Sequence, residues 1–122
     1  MEQTYAVLPC NGMDKSAGCV AREIALQFVE KGCHLICPVL CGASSARYSK
    51  VAEAYPLLVI DGCTMRCASK LAAKKGLKAV KRINVADFAR SEDFSLNPSL
   101  RLGETEVDFA RKIVRSFEGG TI

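Results

Sequence analysis

Short β-type runs alternate along this chain with stretches of helical period, and that alternation predicts an α/β fold: a three-layer Rossmann-like sandwich around a mostly parallel sheet of about four strands. Two further observations agree. Glycine or proline stands at nearly every change of period, as expected where strands hand over to helices. The 122 residues, 49% of them hydrophobic, fit one domain, 1–122, with enough apolar material for its own core.

Thr4-Tyr5-Ala6-Val7-Leu8 reads as the first strand, stopped by Pro9-Cys10-Asn11-Gly12. A helix begins near Ser16, with Val20, Ile24 and Phe28 at intervals of four, and Gly32 closes it as a C-terminal cap. His34-Leu35-Ile36-Cys37 forms a second strand ended by Pro38. Ser44 to Ala54 is a second helix, Leu57 to Ile60 a third strand, and Thr64 to Lys75 a third helix ended by Gly76. Lys78 to Val85 is the fourth strand. From Ala86 to Leu102 the chain carries Asn97-Pro98 and little periodicity, which reads as a surface connection. A last helix follows from Thr105 to Phe117, where Thr105-Glu106-Val107-Asp108 resembles a capping box with Asp in the usual Glu position. Val107, Ala110, Ile113, Val114 and Phe117 give it the apolar stripe that docks on the sheet.

Composition excludes several function classes. The net charge of +4 is mild against 13 acidic residues, and its densest part is Lys70, Lys74, Lys75, Lys78, Lys81 and Arg82. Lys70, Lys74 and Lys78 recur at helical spacing opposite Leu71 and Leu77, with no aromatics between them to stack on bases. That is a solvated face, and no nucleic-acid partner is expected. No apolar stretch approaches the roughly 20 residues that span a bilayer, and Met1-Glu2-Gln3-Thr4-Tyr5 lacks a secretory pattern, so the expected setting is the cytoplasm without membrane contact. Seven cysteines, an odd number, suit reduced thiols better than a disulfide framework.

In open parallel sheets, ligands bind at the carboxyl ends of the strands. Cys10 follows the first predicted strand, Cys37 ends the second, and Cys63 and Cys67 follow the third, so all four are expected on one rim. If the third helix starts at Thr64, Cys63 and Cys67 lie about one turn apart, with roughly 5–6 Å between β-carbons. Four thiolates satisfy tetrahedral Zn²⁺, and the same set suits an iron–sulfur cluster. A helix-start thiol also suits a redox or sulfur/selenium carrier role for Cys63 or Cys67. Gly62 lets the backbone turn sharply under the site, and Asp61 is an acceptor for loop amides or a group supporting the ligands from behind, rather than a ligand itself. Cys41 is a further thiol near the rim, an alternate ligand or a resolving thiol, whereas Cys19 and Cys33 suit packing.

The loop Cys10-Asn11-Gly12-Met13-Asp14-Lys15-Ser16 lacks the Walker A order and the dinucleotide glycine spacing. Gly12 shapes it, Asp14 or Ser16 caps the following helix, and Lys15 and Ser16 are candidate anion contacts. Arg22 is expected in a surface ion pair. His34, the one histidine, falls at the start of a strand and is read as structural or exposed.

Asp61-Gly62-Cys63-Thr64-Met65-Arg66-Cys67-Ala68, together with Cys10-Asn11-Gly12, resembles the DGC-domain family of zinc-binding proteins. The resemblance covers nearly the whole chain. The family's recurring features fall on Cys10, Gly12, Cys37, Cys63 and Cys67, while Met13 stands where many relatives carry a further cysteine. The resemblance implies zinc binding at these cysteines and brings no reaction with it. A metal ion is thus the expected partner, beside an unidentified protein partner.

Overall fold

Four strands pair in parallel in the order β2-β1-β3-β4. The structure is a computed structural model that describes residues 4–10, 16–38, 49–62, 65–96 and 101–118. In chain order the elements are β1 (Ala6–Pro9), α1 (Ser16–Glu30), β2 (His34–Leu35), α2 (Ser49–Ala54), β3 (Leu57–Asp61), α3 (Cys67–Lys74), β4 (Ala79–Asn84), α4 (Val85–Ser91) and α5 (Glu104–Glu118). The alternation read from the sequence is the one the chain adopts, a Rossmann-like arrangement of helices on a parallel sheet.

Burial explains which strands are central. Every residue of β1 and β3 is buried, as their unbroken apolar runs require when both faces are covered. At the edges, β2 is exposed and β4 alternates, with a register irregularity opposite Leu57 and Leu58 that leaves Val80 outward. From β1 the chain steps outward to β2, then returns past β1 to β3 and β4. The strand order therefore reverses between β1 and β3, and right-handed crossovers put α1 and α3 on opposite faces.

α1 packs on β1 and β3 through Val20, Ile24 and Phe28, all fully buried, and also meets α4 and α5. α5 contributes Phe109, Ala110, Ile113 and Val114, with Phe109 stacked on Phe94 at a centroid distance of 4.4 Å. Phe117 of the predicted stripe has its side chain outside the described ones. On the other face α3 packs on β3 through buried Ala68 and Ala72, leaving Lys70 and Lys74 in solvent.

α1 ends where Gly32, at φ 98°, accepts a left-handed turn, with Gly32 N–H on Val29 O at 3.0 Å and Cys33 N–H on Phe28 O at 3.1 Å. Three sequence expectations need correction. The predicted connection after Ala86 contains α4, started by Asn84, whose side chain accepts from Asp87 N–H at 3.0 Å; Asn84 three residues before Asp87 was the overlooked cap signal. α5 starts at Glu104, and its reciprocal cap joins the Glu106 carboxylate to Gly103 N–H at 3.1 Å, so Glu106 takes the role expected of Asp108. β2 stops at Leu35, although Ile36 N–H still reaches Val7 O at 2.8 Å, because Pro38 ends the ladder. The predicted helix from Ser44 is described only from Ser49 onward.

Candidate functional site

The rim is built from the carboxyl ends of β1, β2 and β3. Cys10 N–H donates to Ile60 O at 2.8 Å, which extends the β1–β3 ladder one step past Pro9 and sets Cys10, itself buried, level with Asp61. Cys37, half-buried, follows β2 on the other side of β1. Cys10 and Cys37 line a common cavity of about 190 Å³ with Arg22 of α1. Arg22 is in no ion pair of the described residues, contrary to the surface pairing expected for it.

Across the strand reversal, β3 ends at Asp61, a carboxylate only 2% exposed. Its Oδ1 accepts from Ala68 N–H at 2.9 Å and Ser69 N–H at 3.2 Å, and its Oδ2 accepts from the Ser69 hydroxyl at 2.5 Å. Asp61 is thus the acceptor that starts α3 from outside the helix, holding amides of the first helical turn where loop amides were expected. A negative charge at this end is favourable to the helix dipole.

Where α3 begins is a second correction. Arg66 occupies the left-handed region at φ 54° and ψ 47°, so regular helix starts at Cys67 and not at Thr64. Met65 and Arg66, expected inside the helix, precede it. Cys63 and Thr64 lie outside the described residues, as do Gly12, Lys15 and Cys41.

Gly62 is required by close approach. A β-carbon there would stand 2.7 Å from the carbonyl carbon and oxygen of Ala17 and 2.7 Å from Gly18 N, all backbone atoms of the first turn of α1. The chain bends at Gly62 without a left-handed φ, so what requires glycine there is this close approach. Gly62 O in turn accepts from Ala86 N–H at 3.0 Å, tying the loop after β3 to the start of α4. Ser16, a candidate anion contact, is the first residue of α1 and half-buried.

The remaining thiols and the histidine sit apart. Cys33 is buried and accepts from Tyr5 N–H at 3.5 Å, and burial, with a smaller contribution from Cys33, pushes the Tyr5 hydroxyl above the usual tyrosine range. Cys19 is half-buried within α1. His34 opens β2 at the opposite end of the sheet and stacks on Tyr55 at 4.3 Å. Cys67 is exposed at the first position of α3. Among the described residues, no three His, Cys, Asp or Glu side chains come close enough together to hold a metal ion, so Cys10, Cys37 and Cys67 do not form such a group by themselves.

Two participants were missed in the sequence: Ser69, which doubles the hold of Asp61 on α3, and Arg22, which joins the thiol cavity. The signal for Arg22 was its place one helical turn after Gly18, whose missing side chain leaves space beside it. A family model described as the DGC domain matches residues 6–110, from the start of β1 into α5. No curated protein and no solved structure matches the chain.

Proposed function

The chain belongs to the DGC domain family, and on that premise we propose that it binds a soft metal ion, zinc, through Cys10, Cys37, Cys63 and Cys67 at the carboxyl edge of its sheet. The observation that carries the reading is that Cys10 and Cys37, which follow different strands and stand 27 positions apart in the chain, line one cavity. Cys67 opens α3 across the strand reversal, and Cys63 follows the buried Gly62 in sequence. Thiols are the donor type that a soft ion selects. Asp61 is spent on α3 and is left out of the set.

Four thiolates fill a tetrahedron, so a zinc ion held this way has no position left for water and is structural or stored. A thiolate site needs reduced cysteines, and the proposal carries with it a reducing compartment, the cytoplasm. Elemental analysis of protein purified without added zinc should find about one zinc per chain, the number one tetrahedral site takes. Cys63→Ser should lose most of it, and Cys19→Ser should keep it. Equal metal content in Cys63→Ser, Cys10→Ser and the parent overturns the assignment, and a brown, iron-containing product turns it toward an iron–sulfur cluster.

The exposure of Cys67 favours one second reading, a thiol-based redox or sulfur/selenium carrier using Cys63 and Cys67. Against it, the Ala68 and Ser69 amides in the first turn of α3 are already engaged by the Asp61 carboxylate. Fast alkylation of Cys67 alone in folded, metal-free protein supports the carrier; uniformly slow alkylation removes it.

A further inference from the structure

The thiol cavity holds a feature that metal binding does not use. Gly18, Arg22, Ala25 and Leu26 share the side of α1 that lines it, at the three-, four- and seven-residue spacings of one helical face. Opposite them stand Pro9, Leu35 and Pro38. Leu35 is one of the few large apolar side chains left exposed among the described residues, at 42%, and it stands in the wall of this cavity. Arg22 is also exposed, with no ion pair and no hydrogen bond among the described residues. An unpartnered guanidinium beside an apolar hollow is a two-part recognition surface.

We propose that this cavity binds a small organic carboxylate with a short apolar body, its carboxylate on Arg22 and its carbons between Leu26 and Leu35. Size selects the class. At about 190 Å³ the space falls below the roughly 300 Å³ at which ordinary small-molecule pockets begin, which suits a short ligand such as butanoate. Charge selects the head group. A planar guanidinium offers two parallel N–H donors that match the two oxygens of a carboxylate, and Arg22 is the one cation among the described residues of this wall, fewer donors than a phosphate calls for. Cys10 and Cys37 bound the cavity as small, weakly polar surface. Arg22 is not among the proposed zinc ligands, so variants at Arg22 test this site separately from the metal site.

The test is a titration of the isotope-labelled full chain with sodium butanoate at fixed ionic strength, followed by the amide resonances of Arg22, Leu26, Leu35 and Ile36. Saturable shifts confined to these positions are expected, with butanamide, the uncharged isostere, binding at least about tenfold more weakly. Arg22→Ala and Arg22→Gln should each weaken butanoate by at least about tenfold, and Arg22→Lys, which keeps the charge without the fork, should fall between. Zinc content measured on the same Arg22 variants should stay at the parent level, which separates this outcome from failure of the metal site. Binding of butanoate that is unchanged in Arg22→Ala, equal affinity for butanamide, or shifts that never saturate would each overturn the proposal.

Discussion

Replacing Asp61 by alanine removes one buried carboxylate and three hydrogen bonds, and the cost can be worked bond by bond. Ala68 is 1% exposed, so its amide, now 2.9 Å from Oδ1, would find no water and forfeit about 1–3 kcal/mol. Ser69 is half-buried, and its amide and hydroxyl can be rehydrated in part, at about 0.5 kcal/mol or more each. The total is roughly 2–4 kcal/mol, or a fall of about 8–16 °C in melting temperature for a chain of this length. Asp61→Asn keeps the shape and one carbonyl acceptor and should recover about half of the loss. Equilibrium urea unfolding measures both variants, and an unchanged slope certifies that the midpoint shift is a change in stability. Zinc content supplies the second readout, and it should survive in Asp61→Asn because the carboxylate serves α3. If Asp61→Ala unfolds within about 0.5 kcal/mol of the parent, or if the asparagine variant loses its metal while staying folded, the role given to Asp61 is wrong.

Three other expectations follow from the same geometry. Gly62→Ala drives a β-carbon into the backbone of α1 at 2.7 Å, where no side-chain rotation can relieve it, and should cost about 2–3 kcal/mol; a urea midpoint equal to the parent's would show that α1 moves freely. Asp93 holds φ 52° at the end of α4, with Phe94 N–H on Ala89 O at 2.8 Å, so Asp93→Gly should stabilise the chain by about 0.5–1 kcal/mol, read as a rise in melting temperature. Tyr5 is buried and its hydroxyl is held above the usual range; above about pH 10 the unfolded chain releases this proton before the folded chain does, so stability should fall as pH rises from there. Tyr5→Phe should flatten that alkaline decline, and an identical pH profile in the two proteins would count against it.

The legible part of this protein was the part governed by local repetition. Val20, Ile24 and Phe28 at intervals of four foretold the buried side of α1, and the runs in Ala6–Pro9 and Leu57–Asp61 foretold central strands, because periodicity and burial are linked residue by residue. Gly32 and Gly76 marked helix ends for a similarly local reason, since both adopt positive φ. Asp61 was legible as an acceptor of amides, and the order of strands and helices placed Cys10, Cys37 and Cys67 after three successive strands.

What the sequence by itself determined was therefore the alternation of elements, the parallel sheet that follows from it, and the end of the sheet at which the thiols fall. Tertiary structure alone decided which strands are neighbours, and hence that Cys10 and Cys37 share a cavity that Arg22 enters from α1. It also decided that α3 starts at Cys67, because a side chain from the end of β3 supplies the cap and Arg66 turns left-handed before it. Gly62 shows the same division: its presence is visible in the sequence, but the reason for it is the backbone of a helix more than forty residues earlier. Spacing along a chain encodes contacts within a turn or a strand; contacts between segments brought together by crossovers depend on the packing that only the folded chain specifies.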